Sequence, residues 1–113
     1  MTAKNTLTQA PPYPVEQTIK RLGANLRTAR LRRNQTIGAV AEKIGTGPRA
    51  VSDAERGKIS TGIAVYTALL WTYDLLRPMS DLADPAHDEE GLALSTQRER
   101  ARAGSPEELD SDF

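Results

Sequence analysis

Apolar residues recur at helical spacing in four short segments, with a turn-forming residue between each pair, and this pattern restricts the chain to a small bundle of helices. From Glu16 to Arg33 the apolar positions are Ile19, Leu22, Leu26 and Ala29, a single stripe. The other faces of that segment carry Lys20, Arg21, Arg27, Arg30, Arg32 and Arg33. Thr36 is placed to cap a second helix holding Ile37, Val40, Ala41 and Ile44. Gly45 closes that helix as a left-handed C′ residue would. A third helix is expected to start near Gly47-Pro48, with proline at the first helical position, to turn Val51 and Ala54 inward, and to stop at Gly57. The fourth is expected to run from Thr61 to Leu76, with Pro78 ending it. Its apolar residues cover more than one face, which leaves one side for a partner. A short turn over Ser80–Ala83 follows. No two-residue alternation, hairpin dipeptide or internal repeat is present, so the expected class is all-α, a compact five-helix unit.

Charge divides the 113-residue chain in two. Residues 1–60 hold 11 Lys/Arg against 4 Asp/Glu, a net +7, and residues 61–113 hold 4 against 11, a net −7. The zero total therefore hides a basic half suited to a polyanion and an acidic half. Residues 1–14 contain three of the prolines and little to bury, and the last twenty or so are dominated by Arg, Glu, Asp, Ser and Gly. The expected organisation is a disordered N-terminal arm over 1–14, a folded domain over 15–84, and an acidic, largely disordered tail over 85–113. A core built from about seventy residues is thin, which favours oligomerisation.

Several functions are excluded by residue type. There is no cysteine, hence no disulfide framework, thiolate metal site or cysteine nucleophile. The acidic stretch Asp84, His87, Asp88, Glu89, Glu90 offers one histidine beside carboxylates, which reads as a solvated stretch and not as a metal site. His87 has no nucleophile and orienting group arranged with it, and no phosphate loop or dinucleotide fingerprint occurs. No catalytic residue, cofactor or metal is expected. No apolar run approaches a membrane span, and Met1–Lys20 lacks the apolar core of a signal peptide, so a soluble cytoplasmic protein is expected.

Two short helices joined at a glycine, the second one polar outside, suggest a helix-turn-helix. Ala41 is small enough for a close crossing, and Gly45 tolerates the positive φ of the turn. Val51 and Ala54 anchor the second helix, while Arg49, Ser52, Asp53 and Arg56 remain outside. The stretch Leu26-Arg27-Thr28-Ala29-Arg30, then Val40 to Gly45, then Val51-Ser52-Asp53-Ala54-Glu55-Arg56-Gly57-Lys58, resembles the phage-repressor-like (XRE) helix-turn-helix domain over about 60 residues. A narrower likeness follows: Ile59–Trp71 and Leu82–Glu89 are similar to antitoxins encoded with HipA-type kinase toxins.

The resemblance implies a role for each matching residue. Pro48, Arg49, Ser52 and Asp53 would face base edges in the major groove. Arg49 is the candidate for a bidentate contact to guanine, worth roughly 1–3 kcal/mol of discrimination. Asp53, Pro48 and Ile37 depart from the residues that many relatives place at these positions, and so bear on which bases are read. Phosphate contacts would come from Arg56, Lys58 and Lys43, and from the helix starts at Thr36, Thr46 and Gly47. Arg30 and Glu55 match an architectural ion pair of the family. The implied function is a sequence-specific repressor acting as a homodimer on palindromic operator DNA, and an antitoxin that autorepresses its operon and binds a HipA-type kinase toxin. Leu92, Leu94, Leu109 and Phe113 are spaced apolar anchors with which the tail could bind such a partner. A stand-alone repressor without a toxin, and an interaction module that no longer reads DNA, are the two alternatives.

Overall fold

The computed structural model describes residues 5–104, and the anchors Leu109 and Phe113 lie outside them. Among the described residues there are seven α-helices, one 3-10 turn and no strand: α1 (Thr6–Gln9), α2 (Tyr13–Arg32), α3 (Ile37–Ile44), α4 (Pro48–Glu55), α5 (Ile63–Thr72), α6 (Arg77–Ser80) and α7 (Glu89–Ala103), with Pro85–His87 as the 3-10 turn. The class is all-α, as the periodicity requires. The chain divides into two compact units at Arg77–Pro78.

The first unit is built around α4, which packs against α2, α3 and α5. Leu26 and Ala29 from α2, Val40 and Ala41 from α3, Val51 and Ala54 from α4, and Tyr66, Leu69 and Tyr73 from α5 and its cap form the buried core. Ile19, Leu22, Ile37, Ile44, Val65 and Leu70 close over it. Removing a buried leucine such as Leu69 would cost about 2–5 kcal/mol, a large share of a small domain's stability.

Helices α2 to α5 end in one way. After each, a residue with positive φ turns the chain: Asn34 (54°), Gly45 (82°), Gly57 (68°) and Asp74 (60°). The amide that follows returns to a carbonyl of the last turn, Gln35 to Arg30, Thr46 to Ala41, Lys58 to Asp53 and Leu75 to Leu70, at 2.8–3.2 Å. These are Schellman closures, which satisfy carbonyls that a helix end leaves open.

That closure shortens the fourth expected helix. It stops at Thr72 and not at Leu76, because Asp74 adopts the left-handed conformation before Pro78 is reached. The turn expected over Ser80–Ala83 is present over residues 81–83, where the Asp84 amide donates to the Asp81 carbonyl at 3.2 Å, and a short helix, α6 over Arg77–Ser80, precedes it. At the other end α2 begins at Tyr13, inside the expected N-terminal arm, and α1 precedes it. Pro14 occupies the first turn of α2, where a missing N–H leaves no hydrogen bond unmade.

In the second unit, α7 occupies a segment read from composition as tail. Its ends are well matched to a helix: the Asp88 carboxylate accepts from the Gly91 amide at 2.9 Å, Glu89 and Glu90 lie in the first turn, and Arg100 and Arg102 in the last. Opposite charges at the ends complement the helix dipole. None of its residues is buried, and Leu92 and Leu94 are exposed.

Candidate nucleic-acid interface

The turn between α3 and α4 consists of Gly45, Thr46 and Gly47. Thr36 caps the start of α3, its hydroxyl oxygen accepting from the Ala39 amide at 3.1 Å. Gly45 closes α3 at φ 82°, and a side chain there would meet no atom within 4 Å. Glycine is favoured at this turn for its backbone angle and not for space. Gly47 is the N-cap of α4 and Pro48 its first residue.

Three helices behind α4 fix which edge it presents. Val51, Ala54 and Glu55 are buried. Pro48, Arg49 and Arg56 are exposed, and Ser52 and Asp53 are half-buried. Positions 48, 49, 52, 53 and 56 follow the helical repeat, so they share one outward edge. Arg49 stands at its N-terminal end and, among the described residues, makes no ion pair. Lys43 is exposed in the last turn of α3 and is likewise unpaired among them. Thr46 is half-buried, and Gly47 and Lys58 are exposed.

Asp53 does not stand free on this edge. Its carboxylate accepts from the Arg56 guanidinium and lies 3.6 Å from the Lys58 ammonium, and its side chain is only 15% exposed. The hydrogen bond from Arg56 holds the Asp53 carboxyl below the usual carboxylate range; the charges of Lys58, Arg56 and Arg49 add to this against the opposing effect of burial. The sequence reading placed this side chain outward toward bases, whereas the structure engages it with the two cations beside it.

The rigidity behind α4 comes from Arg30. Its Nε donates to Glu55 Oε2 at 2.7 Å and its Nη2 to Glu55 Oε1 at 3.0 Å, with both side chains under a tenth exposed. Its Nη1 donates to the Gln35 carbonyl at 2.9 Å. This two-pronged geometry ties the end of α2 to the end of α4, and the Glu55 hydrogen bond raises the Arg30 pKa above its ordinary value.

Two supporting features escaped the sequence reading. Arg33, read there only as one of the basic residues on the other faces of the first segment, donates to the Ala29 and Tyr73 carbonyls at 2.9 and 3.0 Å and lies 5.3 Å from the centre of the Tyr73 ring. It joins the ends of α2 and α5. Gly23 sits buried where α2 meets the end of α4. A glycine inside an otherwise helical stripe is the sequence signal for such a close approach.

Residues 21–82, more than half of the chain, match the model of a helix-turn-helix domain family. The chain belongs to that helix-turn-helix family. No curated protein and no solved structure matches it. The family is one of DNA-binding modules that regulate transcription and are typically not enzymes. Within the helix-turn-helix, α3 is the first helix and α4 the second. Among the described residues no group of three His, Asp or Glu side chains could hold a metal ion, and no helix is long and apolar enough to cross a membrane.

Proposed function

We propose that this helix-turn-helix protein is a sequence-specific transcriptional repressor that binds palindromic operator DNA as a homodimer. The observation that carries the reading is the outward edge of α4, supported from behind by three helices and bearing exposed Arg49 with half-buried Ser52 beside it. In a major groove, Arg49 would read guanine through its two-pronged geometry and Ser52 would donate or accept, with Pro48 in apolar contact. Arg56, Lys58 and Lys43 would neutralise phosphates, joined by the Thr36 hydroxyl and the amides around Thr46 and Gly47. Two copies would place their α4 helices about 34–36 Å apart, in successive major grooves.

The dimer contact is assigned to α5 and the Leu75–Leu82 region. Ten residues of α5 include no charge, and Ile63 and Trp71 are exposed, Trp71 by 59%. A helix apolar on all sides in so small a unit favours a partner over solvent.

The finer role proposed is that of an antitoxin that autorepresses its operon and binds a HipA-type kinase toxin. Its support is the likeness of Ile59–Trp71 and Leu82–Glu89 to such antitoxins, together with the exposed Leu92 and Leu94 of α7. A stand-alone repressor is the second reading, favoured by a family match to the helix-turn-helix alone. A salt-titrated binding assay on the DNA upstream of the chain's own gene, with and without any co-purifying protein, tests these readings. Steep salt dependence with a footprint supports the repressor. A kinase-like protein that co-purifies and sharpens the footprint supports the antitoxin. A flat salt response without a footprint overturns both and leaves an interaction module.

A further inference from the structure

Asp53, Arg56 and Lys58 form a charge cluster whose geometry is set by the main chain. Asp53 and Arg56 are one helical turn apart. Gly57 at φ 68° then reverses the chain, and the Lys58 amide donates back to the Asp53 carbonyl at 3.0 Å. The Lys58 carbonyl in turn accepts from the Tyr66 hydroxyl at 3.2 Å. Lys58 is thus pinned from both sides, and its ammonium falls 3.6 Å from the carboxylate that Arg56 also engages. Arg56 and Lys58 keep their heads accessible, at 67% and 49% side-chain exposure, while the carboxylate between them is largely covered.

We propose that Asp53 is an internal counter-ion for Arg56 and Lys58, which lowers the net charge they offer to DNA and fixes Arg56 in one orientation, so that binding to bulk DNA weakens more than binding to operator. The inference rests on the DNA-binding reading of α4. Non-specific binding is almost entirely phosphate neutralisation, so a carboxylate inside the phosphate-binding cluster weakens it directly. Operator binding suffers less, because a docked α4 also gains base contacts and because an Arg56 already held in place loses less rotamer freedom on meeting its phosphate. The position of Asp53 low on the edge, with its charge satisfied from within the chain, also separates it from the base-reading role of Arg49. The lowered Asp53 pKa accords with a carboxylate that stays ionised in this setting.

The test compares the full chain with Asp53→Asn on two short duplexes, the upstream promoter and a scrambled sequence of equal composition, across a salt series. Asp53→Asn should tighten binding to the scrambled duplex about three- to tenfold and steepen the log–log salt slope by about 0.9, the effect of one added phosphate contact. Promoter affinity should rise less, so the ratio between the duplexes falls. Placed on an Arg56→Gln, Lys58→Gln background, the same substitution should lose most of its effect. An unchanged slope overturns the proposal. So does a loss confined to the promoter that tracks one base pair, which would make Asp53 a base contact. A full gain persisting without Arg56 and Lys58 also overturns it, since Asp53 would then repel phosphates on its own. DNA binding by wild type with no response to Asp53→Asn sinks this inference alone; no DNA binding by any variant sinks the DNA reading with it. If Asp53→Asn does not fold, Arg56→Gln and Lys58→Gln measured singly and together, with Asp53 intact, read the shared carboxylate. Strictly additive losses then count against it.

Discussion

Gly23 in α2 and Gly57 after α4 mark opposite sides of one backbone-to-backbone contact. A Cβ on Gly23 would come within 2.5 Å of the Ala54 carbonyl oxygen and 2.8 Å of the Gly57 amide. A Cβ on Gly57 would come within 2.5 Å of the Lys20 Cα. The basic helix α2 and the turn that carries Lys58 are therefore in main-chain contact, and no side chain there can yield to make room.

Gly23→Ala should accordingly destabilise the domain by about 1–3 kcal/mol, although alanine is the better helix former. Gly38, inside α3, is the control, since a Cβ there meets nothing within 4 Å and φ is not positive. Gly38→Ala should stabilise by roughly 0.5–1 kcal/mol. Denaturant unfolding of both variants, at unchanged slope, measures the difference. Similar signs for the two would contradict the close approach.

The Arg30–Glu55 pair behaves as a unit. Each side chain is almost fully buried, so removing one leaves a buried charge without its partner. Glu55→Gln or Arg30→Met alone should cost about 3–5 kcal/mol. Replacing both by apolar residues of similar volume should restore much of that loss, because the desolvation penalty disappears along with the attraction. Chemical denaturation of the two single variants and the double variant forms the cycle. Additive losses would show that the two residues act separately.

How much of this was legible in the sequence follows from the range of the forces involved. Periodicity placed the core of α2 to α4, and turn chemistry placed Thr36, Gly45, Pro48 and Gly57, because each of those depends on neighbours a few residues away. The end of α5 was misplaced because Asp74, an ordinary residue in solvent-exposed sequence, takes the left-handed conformation that glycine takes elsewhere in the chain. Helix α7 was hidden by its composition: the charges that suggested a disordered tail are sorted to the ends that favour them. The partners of Asp53 and Arg33 depend on how the chain folds back, at Gly57 in one case and across forty residues in the other. Residue type alone gave no sign of either.

Tyr73 gives a prediction in pH. It is 1% exposed, burial raises its phenol pKa, and among the described residues its hydroxyl has no hydrogen-bond partner. Burial raises Tyr66 in the same direction. A raised pKa in the folded state means that the fold binds the proton more tightly than the unfolded chain does. The stabilisation is therefore complete below the unfolded value of about 10 and is lost as pH rises through the folded values. Tyr73→Phe keeps the ring under Arg33 and removes the unpaired hydroxyl. It should leave neutral-pH stability unchanged or slightly higher, and make the alkaline fall in Tm above about pH 10 shallower. An alkaline limb of unaltered steepness would argue against the burial of this phenol.

Arg49 and Lys58 separate base reading from phosphate neutralisation on one helix edge and its adjoining turn. Arg49 is exposed on the outward edge of α4 and, among the described residues, carries no ion pair, so its guanidinium is available for a two-pronged contact. Arg49→Ala should weaken operator binding by about 1–3 kcal/mol and relax preference at one base pair, with little change on scrambled DNA. Lys58 lies beyond the helix end, and its charge is shared with Asp53. Lys58→Ala should weaken all duplexes alike and reduce the salt slope by at most about one, since part of that charge is already compensated within the chain. Binding measured across a panel of single-base operator variants at several salt concentrations resolves the two patterns. A sequence-selective loss for Lys58→Ala, or a uniform one for Arg49→Ala, would reverse the assignment of the two residues.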